Sequence, residues 1–177
     1  MRPDSAFDDL VRPCVDRLFR TALLMSGDWQ QAEDLVQITL AKLYARGGWQ
    51  RITHPAAYLR QTLVHECISL RRRRSAQELV TGALPHRSAA GWVEADSAAY
   101  LDLFRALSRL SRTDRTVVVL RYWDDLSVAE TADLTGLTPG AVRTRSGRAL
   151  ATLRALLTEA TPDPSTKEHH EHDAARR

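Results

Sequence analysis

Apolar residues recur at helical spacing along most of the chain. In the first part, stripes of apolar residues three and four positions apart start near Leu10, Ala32 and Leu59, and each predicts an amphipathic helix. Gly27 separates the first two stripes, as expected of a helix C-terminus. Pro55 suits the first turn of the third helix, because that turn does not need its amide hydrogen. The pattern predicts a helical N-terminal unit.

The helical pattern divides the chain into four parts. Residues 1–75 form the first helical domain, and residues 76–97 hold two glycines, a proline and few large apolar side chains. Such a stretch is long for an internal loop and predicts a flexible linker. Residues 98–160 return to helical spacing, and the polar stretch 161–177 predicts a disordered tail. The fold class is therefore all-α, with two small helical domains joined by a flexible linker.

A helix-turn-helix is predicted in the second domain. Ser127 and Glu130 have the spacing of a capping box, which opens a short helix. Gly136 follows that helix at the turn, where the backbone must adopt a left-handed conformation, and Pro139 then starts a longer helix. This order of short helix, glycine turn and long helix is typical of a helix-turn-helix.

The charge on the longer helix favours DNA over an ordinary solvated surface. Residues 139–157 contain four arginines and no acidic residue, whereas an exposed helical hairpin usually mixes both signs. A core stripe through Val142 and Ala149 leaves an outward face suited to the major groove. Gly147 costs about 1 kcal/mol inside a helix. Either close approach to DNA or internal packing could explain it. The outward face holds Arg143, Thr144, Gly147 and Arg148.

A second basic feature lies at the end of the third predicted helix. The run Arg71–Arg74 exceeds what the helix dipole needs, and it extends a polar face of the same helix. We interpret it as a further nucleic-acid contact in preference to a solvated helix end.

Composition narrows the classes of function. The chain has 177 residues and a formal net charge of only +3, so the placement of basic residues matters more than their number. Cys14 and Cys67 are expected to be free thiols in a reducing cytosol. The N-terminus does not resemble a signal peptide, and no apolar run is long enough to span a membrane. No catalytic constellation is present, and the three histidines at 169–172 rarely make a closed metal site, so neither cofactor nor metal is expected.

Several segments together resemble the extracytoplasmic-function (ECF) sigma factors of bacteria. Residues 18–28 and 32–37 are similar to region 2 of that family, and 57–74 to its promoter-melting, −10-reading helix. Residues 118–127 and 140–145 resemble region 4, which reads the −35 element. The segments occur in the family's order, with a linker between them.

The resemblance implies a protein without catalytic activity that acts in the cytoplasm. It would bind the β′ clamp and β flap of core RNA polymerase, direct the enzyme to promoters and help to melt them. Many members of the family are held inactive by an anti-sigma factor, so such a partner is expected. Asp34 and Gln37 match polymerase-binding positions, and Trp49 would supply a ring for a flipped −10 base. The expected −10 contacts are Trp49, Gln50, Arg51, Arg60, Gln61, His65, Ser69 and Arg72, and the expected −35 contacts are Arg143, Thr144, Arg145, Gly147 and Arg148.

Some positions depart from the family pattern. His65 and Ser69 replace residues common on the −10 helix, which leaves the preferred −10 sequence open. Thr131 and Ser146 replace typical isoleucine and leucine core residues, which predicts a C-terminal domain of marginal stability.

Two alternatives compete with the sigma-factor interpretation. A response-regulator output protein shares the helix-turn-helix, but the N-terminal half contains no phosphoacceptor domain. In an interaction protein with a degenerate helix-turn-helix, the last helix would carry charges of both signs, and residues 139–157 carry only positive ones. An enzyme is the least favoured class.

The linker also predicts how the domains are arranged. We expect the free protein to sample several arrangements, from which a partner or domain docking selects a closed one. Docking is expected to bury Trp92 and to hide the face around Arg143.

Overall fold

The computed structural model describes residues 3–81 and 98–160, and within these ranges it is helical without strands, which confirms the all-α prediction. A 3₁₀ turn (Trp49–Arg51) lies between the second and third helices, and a π-helical turn (Val119–Trp123) continues the fifth. The remaining part of the predicted linker and the tail lie outside the described residues. The helices are α1 (Pro3–Ser26), α2 (Trp29–Arg46), α3 (Pro55–Thr81), α4 (Ala98–Arg109), α5 (Arg112–Val118), α6 (Val128–Thr135) and α7 (Pro139–Ala160).

Local sequence signals account for most helix boundaries. Gly27 has φ +76° after α1, and the Asp28 side chain caps α2 by accepting a 2.8 Å hydrogen bond from the Gln31 amide. The end of α3 differs from the prediction, because the helix continues beyond residue 75 as far as Thr81. Residues 76–79 (Ala-Gln-Glu-Leu) are good helix formers, which explains why the helix enters the predicted linker.

The first three helices pack against one another around an apolar centre. Met25 of α1, Leu35 and Leu43 of α2, and Leu59 and Leu63 of α3 are each at most 1% exposed. Burying a side chain of this size contributes about 1.5–3 kcal/mol relative to exposure. The hydrophobic stripes read from the sequence therefore meet in one N-terminal core.

In the C-terminal half, α7 packs against α4, α5 and α6. Val117, Ala132 and Val142 form a small apolar cluster where three of these helices meet. This packing fixes which side of α7 faces inwards and leaves the opposite side to solvent.

The two halves of the described chain are packed together. α1 contacts α5 and the π-helical turn, while α3 contacts α6. One apolar cluster includes Leu18 and Leu63 from the N-terminal half and Leu120 and Leu126 from the C-terminal half. We call this contact region the seam. The structure thus shows a docked arrangement of the two halves.

Arginines fill one end of the seam. Arg71 of α3 donates hydrogen bonds to the Thr116 hydroxyl (2.5 Å) and the Met25 carbonyl (3.4 Å). The Arg115 side chain is buried and donates to the Leu107 carbonyl at 2.8 Å. Burial, followed by repulsion from Arg71, lowers the pKa of Arg115 to about 10.

Candidate nucleic-acid interface

The helix-turn-helix is built by the caps that the sequence predicts. The Ser127 hydroxyl accepts from the Glu130 amide (3.1 Å), and the Glu130 carboxylate accepts from the Ser127 amide (2.8 Å). Gly136 ends α6 with φ +70°, and the Thr138 hydroxyl accepts from the Ala141 amide at the start of α7. These local bonds set the direction in which α7 leaves the turn.

The predicted −35 residues lie mostly on the exposed face of α7. Arg143, Thr144, Gly147 and Arg148 are exposed, whereas Val142 is fully buried on the opposite side. A Cβ added at Gly147 would meet nothing within 4 Å, so packing inside the protein does not explain this glycine. Gly147 is exposed, so the surface of α7 at this point is open to solvent.

Arg145 differs from the other predicted −35 residues. Its guanidinium lies 2.8 Å from the Asp114 carboxylate of α5, and its side chain is half-buried. Burial alone would raise the pKa of Asp114, but the Ser111 hydroxyl and then Arg145 lower it overall. The structure therefore assigns Arg145 to the attachment of α7 to α5, because the ion pair turns its charge towards the protein.

The tryptophan of the turn before α3 is buried, contrary to the prediction. Trp49 is only 6% exposed, and its ring packs edge-on against Phe7 at 5.2 Å between centroids. This ring belongs to the N-terminal core and is not presented for stacking on a flipped base. Its neighbours Gln50 and Arg51 are exposed on the same turn. The sequence does not show whether a tryptophan that follows two glycines points into the core or towards solvent.

The predicted −10 residues of α3 separate into two groups. Gln61, His65, Ser69 and Arg72 are exposed and follow one another at four- and three-residue spacing, so they share a face. Arg60 is half-buried and lines a groove at the seam together with Asp124. In this arrangement Arg60 therefore faces the C-terminal half.

The arginine run after this face is divided in the same way. Arg71 is directed into the seam, while Arg72 and Arg73 are exposed. The side chain of Arg74 lies outside the described residues. Among the members whose side chains the structure describes, Arg72 and Arg73 extend the basic surface of α3.

The predicted polymerase-binding residues are exposed together on α2. Asp34 and Gln37 lie one turn apart, and Gln37 borders a groove between α1 and α2. Phe19, Val36 and Leu40 contribute apolar surface to that groove. Polar residues beside an apolar groove are typical of a protein-binding surface.

Comparisons with known proteins identify the family. The family models "Sigma-70 region 2" and "Sigma-70, region 4" match residues 10–77 and 100–153. The RNA polymerase sigma-E factor of Streptomyces coelicolor is 34% identical over 172 residues, covering 94% of each chain. The ECF RNA polymerase sigma factor SigL of Mycobacterium tuberculosis is 31% identical over 153 residues, covering 80% of this chain and 83% of SigL. The chain belongs to the ECF sigma factors. It is a sigma factor that directs promoter-specific initiation of transcription by RNA polymerase.

A solved structure resembles this sigma factor across both halves. It is the sigma factor RpoE from Bartonella quintana in complex with the anti-sigma factor NepR. The TM-score is 0.73 at 26% identity, and the match covers 86% of this chain and 97% of the other. Neither half of this chain makes up 86% of its residues, so the superposition includes both halves.

The seam holds the functional candidates that sequence reasoning missed. Arg17, Thr21 and Asp124 meet there although more than 100 positions separate the first two from the third. The adjacent Asp124 and Asp125, just before the capping box, are a sequence signal for this contact, but they do not indicate which residues of the N-terminal half they contact. Because the contact is tertiary, helical periodicity could not reveal it.

Other chemistry is limited in the described part of this sigma factor. Cys14 and Cys67 are free thiols, as predicted, and burial raises the pKa of the Cys67 thiol. Among residues 3–81 and 98–160, no three His, Cys, Asp or Glu side chains group as metal ligands, and no helix is long and apolar enough to cross a membrane. The histidines at 169–172 lie outside these ranges.

Proposed function

We propose that this sigma factor reads the −35 element with the exposed face of α7 and the −10 element with α3 and the preceding turn. The main support is that α7 presents Arg143 and Arg148 to solvent on the second helix of a helix-turn-helix. The helix itself carries no acidic residue before Leu157, so Arg143 and Arg148 give its exposed face a positive charge that suits phosphates and base edges. The protein performs no covalent chemistry and acts in the cytoplasm, where it meets polymerase and promoter.

Arg143 is the best candidate for a specific base contact. It lies in the second turn of α7, and a guanidinium at that depth can donate two hydrogen bonds to the major-groove edge of guanine. Thr144 is beside it, with a hydroxyl that donates to the Gly140 carbonyl and keeps acceptor capacity. Arg148, one turn further on, fits a phosphate contact that positions the helix.

Promoter binding by two alanine variants tests the −35 assignment. Arg143→Ala should weaken binding of the holoenzyme by about 1–3 kcal/mol and relax sequence choice at one −35 position. Arg154→Ala is the matched control, because Arg154 is an exposed arginine on the same helix but three turns further on. It should change affinity little and leave the ranking of promoters intact. If Arg143→Ala kept the wild-type affinity and ranking, the assignment would be rejected.

Docking on core polymerase is assigned to α2, with the β′ clamp contacting Asp34 and Gln37 and the β flap contacting the C-terminal half. The exposed carboxylate of Asp34 offers a charge to a basic partner, and the adjacent groove offers apolar contact. Asp34→Arg should weaken core binding while the circular dichroism spectrum stays helical. Asp9→Arg, the same charge change at an exposed position of α1, is the control. Full core binding by a folded Asp34→Arg variant would contradict this role.

An anti-sigma factor is the remaining proposed partner. The Bartonella relative was solved with such a partner, and α2 of this chain leaves large apolar side chains exposed: Ile38 at 40% and Tyr44 at 49%. A protein that covers this surface would compete with polymerase for the same helix. A purified inhibitor should compete with core polymerase for the wild-type protein. Loss of this competition in Asp34→Arg would support a surface that both partners share.

A further inference from the structure

The basic face of α7 stays open to solvent although the two halves are docked. Arg143 and Arg148 are exposed in this arrangement, so the expectation that docking hides the α7 face is wrong. Trp92, the other residue of that expectation, lies outside the described residues. An accessible basic helix also attracts the phosphates of duplexes without a promoter, and a genome offers very many such competing sites. A carboxylate that opposes this charge therefore affects how strongly the face binds DNA of any sequence.

Asp114 of α5 is a carboxylate in this position. Its Oδ1 accepts from Arg145 Nη1 at 2.8 Å, and its Oδ2 accepts a 2.6 Å hydrogen bond from the Ser111 hydroxyl. The same hydroxyl accepts from the Asp114 amide at 3.1 Å. These bonds hold the carboxylate at the start of α5. Arg145, whose side chain is 39% exposed, is the partner that reaches across from α7.

Arg145 borders the face that is proposed to read the −35 element. It lies three positions before Arg148, and residues at this spacing are neighbours on a helix surface. Both arginines act on Asp114. Burial alone would raise the pKa of this carboxyl, but the Ser111 hydroxyl, then Arg145 and then Arg148 lower it overall. One carboxylate therefore stands beside two arginines and neutralises one of them at this edge of α7.

An arginine at the edge of a recognition helix is suited to a phosphate contact. Base edges lie opposite the outward face around Arg143, whereas the flanks of the helix approach the sugar-phosphate backbones. The guanidinium of Arg145 is instead turned towards α5. Moving it to a phosphate would leave the partly buried Asp114 carboxylate unpaired beside negatively charged DNA. The ion pair therefore opposes that movement.

We propose that Asp114 limits the sequence-independent DNA affinity of this sigma factor by withholding Arg145 from phosphate. The ion pair stays intact in the DNA-bound state, so Arg143 and Arg148 contact DNA and Arg145 does not. This inference rests on the proposed role of α7 in binding DNA. A phosphate contact carries no sequence information, so releasing Arg145 should strengthen binding to every duplex by a similar factor. Asp114 would thus set the strength of binding, and the outward face its sequence preference.

The salt dependence of holoenzyme binding tests this role. The two DNA fragments are a promoter that the wild type transcribes in run-off assays and the same fragment with a scrambled −35 element. Asp114→Asn should raise the affinity for both fragments by about three- to tenfold near 0.1 M salt. It should also make the slope of log K against log salt more negative by about 0.9, as expected of one added phosphate contact. In the double variant with Arg145→Ala, both quantities should return to wild-type values.

Asp102→Asn is the matched control. Asp102 pairs with Arg105 at 3.3 Å within α4, so the substitution makes the same charge change and also removes the partner of an arginine. It should leave the affinity and the salt slope close to those of the wild type. Arg143→Ala tests the −35 contact separately, because it should remove part of the preference for the intact fragment. If only this variant behaves as the wild type, the −35 contact is wrong and the withholding of Arg145 stands.

Several results would overturn the proposal. Unchanged binding by a folded Asp114→Asn variant, or an equal gain in Asp102→Asn, rejects a specific role for this carboxylate. A gain that persists in the double variant rejects Arg145 as the withheld group. A double variant with a flatter salt slope than the wild type shows that Arg145 already contacts DNA, which also rejects withholding. If Asp114→Asn does not fold by circular dichroism, Asp114→Ala removes the same charge and is measured in its place.

Discussion

A buried hydroxyl in α6 gives the sharpest test of how this fold is stabilised. Thr131 is fully buried, and its Oγ1 has no hydrogen-bond partner in the described part of the chain. Desolvating a hydroxyl without a partner costs about 1–3 kcal/mol. The position was expected to be unfavourable from the sequence, because the family usually has isoleucine there.

Thr131→Val removes that cost with almost no change in shape. Valine replaces the hydroxyl by a methyl group of similar size, and the helix propensities of the two residues are close. We therefore expect the free energy of unfolding to rise by about 1–2 kcal/mol, somewhat below the full desolvation cost because the site can relax. For a chain of this length that corresponds to a rise in Tm of about 2–4 °C per kcal/mol.

The assay is urea unfolding with Thr39→Val as the control. Thr39 is also fully buried, but its hydroxyl donates to the Leu35 carbonyl at 2.7 Å, so valine there removes a hydrogen bond. The increase in the free energy of unfolding in Thr131→Val should exceed any change in Thr39→Val by at least about 1 kcal/mol. Equal effects at both positions, or a loss of stability in Thr131→Val, would refute the reasoning.

Two further predictions concern tertiary contacts. Arg145→Ala should lower the free energy of unfolding by about 0.5–1 kcal/mol without changing the ranking of promoters. The lowered pKa of Asp114 means that its stabilising effect is present above the ordinary carboxyl pKa and is lost on acidification, so urea titrations should show the variant converging on the wild type at low pH. Gly27→Ala should cost at least about 1 kcal/mol more than Gly136→Ala. Both glycines have positive φ, but only a Cβ at Gly27 would lie 2.5 Å from an Arg115 nitrogen. The Arg115 side chain is buried and donates to the Leu107 carbonyl, which restricts its movement away from the new methyl group, and equal losses of Tm would contradict this contact.

Features that depend on neighbours along the chain could be predicted from the sequence. The capping box at Ser127, the left-handed Gly136 and the outward face around Arg143 all follow from bonds or angles within one or two helical turns. Helical periodicity likewise predicted that Val142 faces the core. Signals of this kind need no knowledge of what packs against the helix.

The direction of a side chain could not be predicted where two environments suit the same residue type. Trp49 packs in the core, Arg145 pairs with Asp114 and Arg60 faces the seam, yet each was expected to contact DNA. A residue type that suits DNA also suits an internal ion pair or an aromatic cluster. Only the position of the neighbouring helix distinguishes these alternatives.

The sequence by itself determined the helices, their caps, the helix-turn-helix and the family to which the chain belongs. The tertiary structure alone decided that the two halves share a seam and that Asp124 is buried against Arg17. The physical reason is that a hydrophobic period shows which face of a helix avoids water, but not which distant helix covers it. Contacts between residues more than 100 positions apart depend on the packing of whole helices, and that is established only when the chain has folded.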